Sequence, residues 1–209
     1  KQRIFGLDVL RTSAIIMVVC SHILWIYPKS NAFISILFEL FGFWGVELFF
    51  VLSGFLIGSI LYKTFVNESF TLKSVFHFLK RRWFRTLPNY YLVLLINIGI
   101  AFFLGFSIEN IGIYFVFLQN FASKSPAFFP ESWSLSIEEF TYLLLPFSLF
   151  FVGLVKVKNK SKAFLLVIVA LILVFWMNKF YYHSQHAISN LTEWNLNLKS
   201  VLIYRIDAI

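Results

Sequence analysis

Cysteine occurs once, at Cys20, so no disulfide can form within the chain, and cysteine usage does not report a redox compartment. Charge is scarce as well: Asp, Glu, Lys and Arg together make up 13% of the residues, against 59% hydrophobic ones and a mean hydropathy of +0.80. A water-soluble domain of this length has no use for that ratio, and the composition excludes that class. Acidic residues are the scarcer sign, 10 against 18 Lys and Arg. The resulting net charge of +8 does not point to nucleic acid, because basic residues of a membrane protein gather in its cytoplasmic loops. There is no internal repeat and no low-complexity linker. What is abundant is phenylalanine, 28 residues, which suits helices that face lipid and one another. The chain reads as an all-α, polytopic bundle of transmembrane helices.

The first apolar run, residues 9 to 28, is interrupted by His22 and preceded by Asp8, with Arg11 near its start. A secretory signal is excluded by these polar residues and by the lack of a small-residue cleavage pattern. Ionisable groups inside hydrocarbon are costly and need a reason. On one helix Arg11 and His22 are close to three turns apart, about 16 Å along the axis, and share a face with Asp8. That face is a candidate wall of a reaction site or of a polar pathway.

The next run, Ala32 to Tyr62, is too long for one simple span. The glycines at 42 and 45 suggest an interfacial or re-entrant piece followed by a span from Val46 to Tyr62. Residues 63 to 85 form a basic loop ending in Lys80, Arg81, Arg82 and Arg85, and Leu87 to Phe106 makes a third span with Pro88 in its first turn. The apolar piece 111 to 121 is too short to cross. Ser136 to Val155 and Ala163 to Tyr182 cross, joined by the lysine-rich loop 156 to 162. With a cytoplasmic N-terminus, both basic loops fall inside only if 111 to 121 does not cross. The expectation is therefore five spans, one re-entrant or interfacial segment, and a sixth span starting near Val201, with residues 29–45, 107–135 and 183–200 facing outward. The chain begins with Lys1 and stops at Ile209 as an apolar segment starts, which reads as a single membrane domain, 1–209, truncated at both ends.

Several residues can carry chemistry. His22 can accept and return a proton near neutral pH, which suits acyl transfer or proton relay; equally, it can be a polar side chain bonded between helices. Arg11 taken alone snorkels to the interface, and its spacing from Asp8 is that of a helix-stabilising pair. Arg82 and Arg85 can present two guanidinium groups to a phosphate-bearing ligand, although lipid headgroups suffice to explain a basic loop. In residues 132–142, Ser134 or Ser136 can cap a helix whose positive end suits Glu138 and Glu139, with Trp133 and Tyr142 in an aromatic interface belt. His183 and His186 have the spacing of a metal pair, but with only Glu193 near them no metal is expected.

Four stretches, taken together and in order, resemble the membrane acyltransferase type 3 family. They are Gly6-Leu-Asp-Val-Leu-Arg11 with His22 after ten residues, residues 45 to 57, Arg82-Trp-Phe-Arg85-Thr-Leu-Pro88, and Trp133-Ser-Leu-Ser-Ile-Glu138. The resemblance implies an inner-membrane O-acetylase of surface or envelope glycans, with more membrane helices than this chain supplies. It implies acyl-CoA, most simply acetyl-CoA, as the cytoplasmic donor, and an extracytoplasmic glycan hydroxyl as acceptor. On it His22 is the catalytic base or acyl carrier, Arg11 and Glu138 are further site residues, and Arg82 and Arg85 bind the donor. Thr141 departs from the family pattern, in which an aromatic residue precedes the tyrosine. The rival class is a transporter or polysaccharide exporter using the same polar face, with broken helices near Gly42 and Gly54.

Overall fold

The computed structural model describes residues 4–24, 26, 33–155, 157–186 and 188–209. Its elements are helices α1 (Phe5–Ile23), α2 (Phe33–Asn67), α3 (Leu72–Phe103), α4 (Gly112–Phe115), α5 (Trp133–Gly153), α6 (Lys160–Gln185) and α7 (Leu191–Trp194), with short 3-10 and π turns between and after them. No strand occurs among the described residues. Five helices, α1, α2, α3, α5 and α6, are long and apolar enough to cross a membrane, the number expected. Large apolar side chains such as Phe102, Phe103 and Leu166 stand exposed, as helices in lipid require. The residues fall into two compact units, Lys1–Gly58 with Ala208–Ile209, and Ser59–Asp207.

In the first unit, α1 starts and stops earlier than the apolar run suggests, at Phe5 and Ile23. The turn expected at Lys29 to Asn31 lies outside the described residues. The break expected at Gly42 to Gly45 does not occur: α2 runs unbroken for 35 residues, about 52 Å. These glycines serve close packing instead. A Cβ at Gly42 would meet Ser21 at 2.7 Å, and one at Gly45 would meet Val18 at 2.8 Å and the carbonyl oxygen of Ala14 at 2.9 Å. Missing side chains on α2 let the backbone of α1 approach, as small residues do between membrane helices. Ala14 at this crossing is fully buried.

In the second unit, α3 begins at Leu72, so the basic stretch Lys80–Arg85 is helix, not loop, and Pro88 sits inside the helix rather than in its first turn. The apolar face of its first turns explains why: Val75, Phe78 and Leu79 are buried, while Lys73, His77 and Lys80 point away. The α2–α3 connection meets the start of α6, where Lys160 Nζ donates to the Glu68 carbonyl at 2.7 Å and the Tyr62 and Ser161 hydroxyls are bonded at 3.1 Å. The lysine-rich start of α6 therefore lies beside the α2–α3 connection, while Lys80–Arg85 lies about 12–20 Å further along α3. At the other end of α3, Gly105 takes φ +74° and Phe106 N–H bonds the Ala101 carbonyl at 2.8 Å, a Schellman-type stop that ends the helix before Phe106.

From that stop the chain turns back along α3. Tyr90 Oη donates to the Tyr114 carbonyl at 2.8 Å and Tyr91 Oη to the Phe115 carbonyl at 3.0 Å. Tyr90 lies thirteen residues before Phe103, so α4 packs about 20 Å inward from the end of α3. Tyr90, Leu94, Tyr114 and Phe117 form the buried core of this contact. The segment expected not to cross is thus re-entrant rather than a loop held outside. After Val201 the chain forms two 3-10 turns, Leu202–Tyr204 and Ile206–Ala208, where a span was expected to begin. There the amides of Leu202 and Ile203 bond the carbonyls of Asn120 (2.8 Å) and Phe121 (3.2 Å), which ties this stretch to the 104–132 segment.

Gly45→Ala should destabilise the detergent-solubilised protein by about 1–3 kcal/mol, because its Cβ meets backbone as well as side chain. Gly58→Ala, with no atom within 4 Å, should leave the thermal midpoint unchanged or raise it. In the same assay, Asn120→Leu should cost about 2 kcal/mol, because the fully buried carboxamide donates to the Trp133 carbonyl (3.1 Å) and the Ser200 carbonyl (2.7 Å). Asn120→Asp should cost more, since it turns a carboxylate toward those two carbonyl oxygens.

Candidate functional site

Arg11 and His22 both lie on α1, as their spacing required. Arg11 Nη1 pairs with Asp8 Oδ1 at 3.4 Å, the helix-stabilising contact foreseen, and the pair is open enough to contribute little. His22 is exposed at the last turn of α1. These residues belong to the first unit, whereas Arg82, Arg85 and Glu138 belong to the second.

Arg82 and Arg85 do not act as a matched pair. Arg85 is exposed, while Arg82 is turned inward over two rings, with its guanidinium carbon 5.7 Å from the centroid of Phe78 and 5.6 Å from that of Tyr142. Tyr142 Oη donates to Glu138 Oε2 at 3.0 Å. One tyrosine thus separates the guanidinium from the carboxylate. Sequence position had put Arg82 in a basic loop on one side of the membrane and the 107–135 segment before Glu138 on the other, and this closeness shows that Arg82 and Glu138 do not stand at opposite ends of the helix bundle. It follows from α5 starting well inside the bundle: residues 104–132 run back along α3 before α5 begins at Trp133. Tyr142 is buried rather than part of an interface belt.

The neighbouring residues on both helices form a second link. Trp83 Nε1 donates to Glu139 Oε2 at 3.0 Å, and Glu139 is only 3% exposed. Ser134 and Ser136 do not cap α5, because a 3-10 turn at Pro130–Ser132 precedes it and places both serines inside the helix. Ser136 is instead an internal polar contact: Gln119 Nε2 donates to its hydroxyl at 2.6 Å and to the Ser132 hydroxyl at 3.0 Å. With Asn120, this gives the re-entrant segment two buried carboxamides against the first turns of α5. Lys199 adds a cation 5.8 Å from the Trp133 ring. Thr141 is well accommodated, its hydroxyl donating to the Ile137 carbonyl at 2.9 Å. Phe117, between α4 and the carboxamides, holds φ +60°, a left-handed conformation that a bulky residue keeps only where its surroundings force it.

Sequence reasoning passed over Gln119, Asn120, Tyr142 and Glu139 as site members. The spacing of Glu138 and Tyr142, one turn apart, was the available signal for the tyrosine. Nothing local marked the two carboxamides, whose partners lie 13 to 80 positions away. At the end of α6, His186 stacks on Tyr182 with ring centroids 4.3 Å apart. Glu193 Oε2 accepts from the amide and hydroxyl of Ser189 at 3.0 and 2.9 Å, which holds its carboxyl below the usual range. Among the described residues no three His, Cys, Asp or Glu side chains stand together as a metal set.

The chain is 31% identical over 196 residues to the peptidoglycan O-acetyltransferase OatA of Listeria monocytogenes, a match covering 84% of this chain and 29% of the relative. It is 32% identical over 174 residues to YrhL of Bacillus subtilis, whose name carries the same activity as a provisional one; that match covers 75% of this chain and 25% of the relative. The chain therefore spans less than a third of the length of these curated relatives. No solved structure matches it. A family model described as an acyltransferase domain matches residues 4–204, which takes in all four motifs from Gly6 to Glu138, and the chain belongs to that family, as a multi-pass membrane member of it.

Proposed function

We propose that the protein to which this chain belongs transfers an acyl group, most simply acetyl, from acyl-CoA to a hydroxyl of an envelope glycan, peptidoglycan being the first acceptor to test. The observation that carries the reading is the Arg82–Tyr142–Glu138 arrangement, in which two residues from separate family motifs meet across one ring inside the helix bundle. The names of the relatives supply the acceptor class. A cytoplasmic donor side, in the inner membrane with the N-terminus inside, is favoured by the positive-inside tendency of the basic stretches at 80–85 and 156–162.

In this mechanism the acceptor hydroxyl oxygen attacks the thioester carbonyl. The new C–O bond forms as the C–S bond breaks, and CoA leaves as its thiol. His22 takes the hydroxyl proton and returns it to the departing sulfur. Its assignment rests on the motif it shares with Arg11, which orients its neighbours. Arg82, with Arg85 on the next turn, holds the phosphates of the donor, and the Tyr142–Glu138 pair orients Arg82. The transporter reading loses the broken helices it expected near Gly42 and Gly54, since α2 continues unbroken through both.

Membranes carrying the full-length protein should release CoA thiol from acetyl-CoA and esterify the glycan, as read by mass spectrometry. His22→Ala should lower that rate at least about 100-fold. A His22→Ala protein working at the parental rate would remove the catalytic assignment, and membranes that consume no acetyl-CoA would favour transport. Arg82→Lys keeps the charge but loses the guanidinium beside the Phe78 and Tyr142 rings and its forked donors, and should raise the KM for acetyl-CoA about tenfold.

A further inference from the structure

Two adjacent residues on α3 meet two adjacent residues on α5. Arg82 lies over the ring of Tyr142, whose hydroxyl bonds Glu138, and Trp83 bonds Glu139 directly. An indole N–H is a donor only and has a single direction, so this bond fixes both the rotation and the height of α3 on α5. A rotation of α3 by one residue, about 100°, would carry Arg82 off the Phe78 and Tyr142 rings. Glu139 is 3% exposed and its other oxygen, Oε1, has no hydrogen-bond partner among the described residues. Such burial keeps it from touching a substrate, and a buried carboxyl is retained at a cost that calls for a reason.

We propose that Glu139 is a positioning residue for donor binding: by accepting the Trp83 N–H it locks the register of α3 on α5 that holds Arg82 over Tyr142 and Glu138. This rests on the reading of Arg82 as the donor-binding cation. What Glu139 contributes is a hydrogen-bond acceptor at a fixed place, so an uncharged acceptor of the same shape serves equally well. The edge-on contact of Phe78 with Tyr142, ring centroids 6.4 Å apart, reports the same register, since it joins the same two helices beside the bond.

The test uses the full-length protein in membranes, with acetyl-CoA as the probe and CoA-thiol release as the readout. Glu139→Gln, which keeps an acceptor for Trp83, should stay within about twofold of the parent in both kcat and KM. Glu139→Leu and Trp83→Phe should each raise the KM for acetyl-CoA about tenfold, with a smaller effect on kcat. The double variant should be no worse than either single one, because both remove one bond. A second readout does not depend on activity. In a background with every native cysteine replaced, Cys20 included, cysteines placed at Phe78 and Tyr142 should be bridged by a short bifunctional thiol reagent, several-fold less with Glu139→Leu or Trp83→Phe, and as before with Glu139→Gln. Loss of kcat in Glu139→Gln at unchanged KM would overturn the proposal in favour of proton chemistry at the carboxyl. A parental KM and cross-linking yield in Trp83→Phe would overturn it outright. If membranes consume no acetyl-CoA at all while cross-linking follows the expected pattern, the donor-binding reading of Arg82 fails and the register lock stands.

Discussion

Asn120 gives both of its carboxamide hydrogens to main-chain carbonyls, those of Trp133 and Ser200, from a fully buried position. Its own carbonyl accepts the amide of Leu202. Inside a bilayer, backbone groups that leave helical geometry have no water to turn to, and each must be satisfied by the protein. The 104–132 segment leaves helical geometry for most of its length, and Asn120 together with Gln119 makes that possible. Everything that the second unit assembles near α5 depends on this: the depth at which α5 starts, and hence the level at which Glu138 and Glu139 meet α3.

The meeting of Arg82 with Tyr142 and Glu138 changes how a basic stretch in such a protein should be read. Arg81 and Arg85 are exposed, while Arg82, between them in sequence, is drawn over aromatic rings. The difference is rotation about the helix axis, which a loop would not impose. A guanidinium held near two rings still has N–H groups to offer an anion, the chemistry suited to phosphate.

The number of spans and the failure of 111–121 to cross were legible because length and charge alone decide them, as in the clean runs of α5 and α6. The family was legible because its motifs are short and local, such as Arg11 with His22. Boundaries were not. Glycine carries opposite meanings at a break and at a close helix crossing, and only the position of Ser21 and Ala14 tells them apart at Gly42 and Gly45. Lys80–Arg85 was misplaced for a related reason: hydropathy registers polar residues but not the buried stripe of Val75, Phe78 and Leu79 that holds them in a helix. Glu139 was hidden by its neighbour, since two successive glutamates at a helix start look equivalent until their faces are known.

The bonds from Leu202 and Ile203 to Asn120 and Phe121 also set an order of events during synthesis. When α3 emerges, the residues after it are too polar and too short to be inserted as a helix of their own. They wait until α5 offers Ser132 and Ser136, and their last carbonyls wait until residues some 80 positions later have been made. Closing so large a loop is slow, so for that interval the carbonyls of Asn120 and Phe121 stay unpaired in the nascent protein and the Asn120 bond to the Ser200 carbonyl stays unformed. The same residues that seat the site are then the ones most open to membrane chaperones and proteases, and a ribosome that stalls before Leu202 leaves them there.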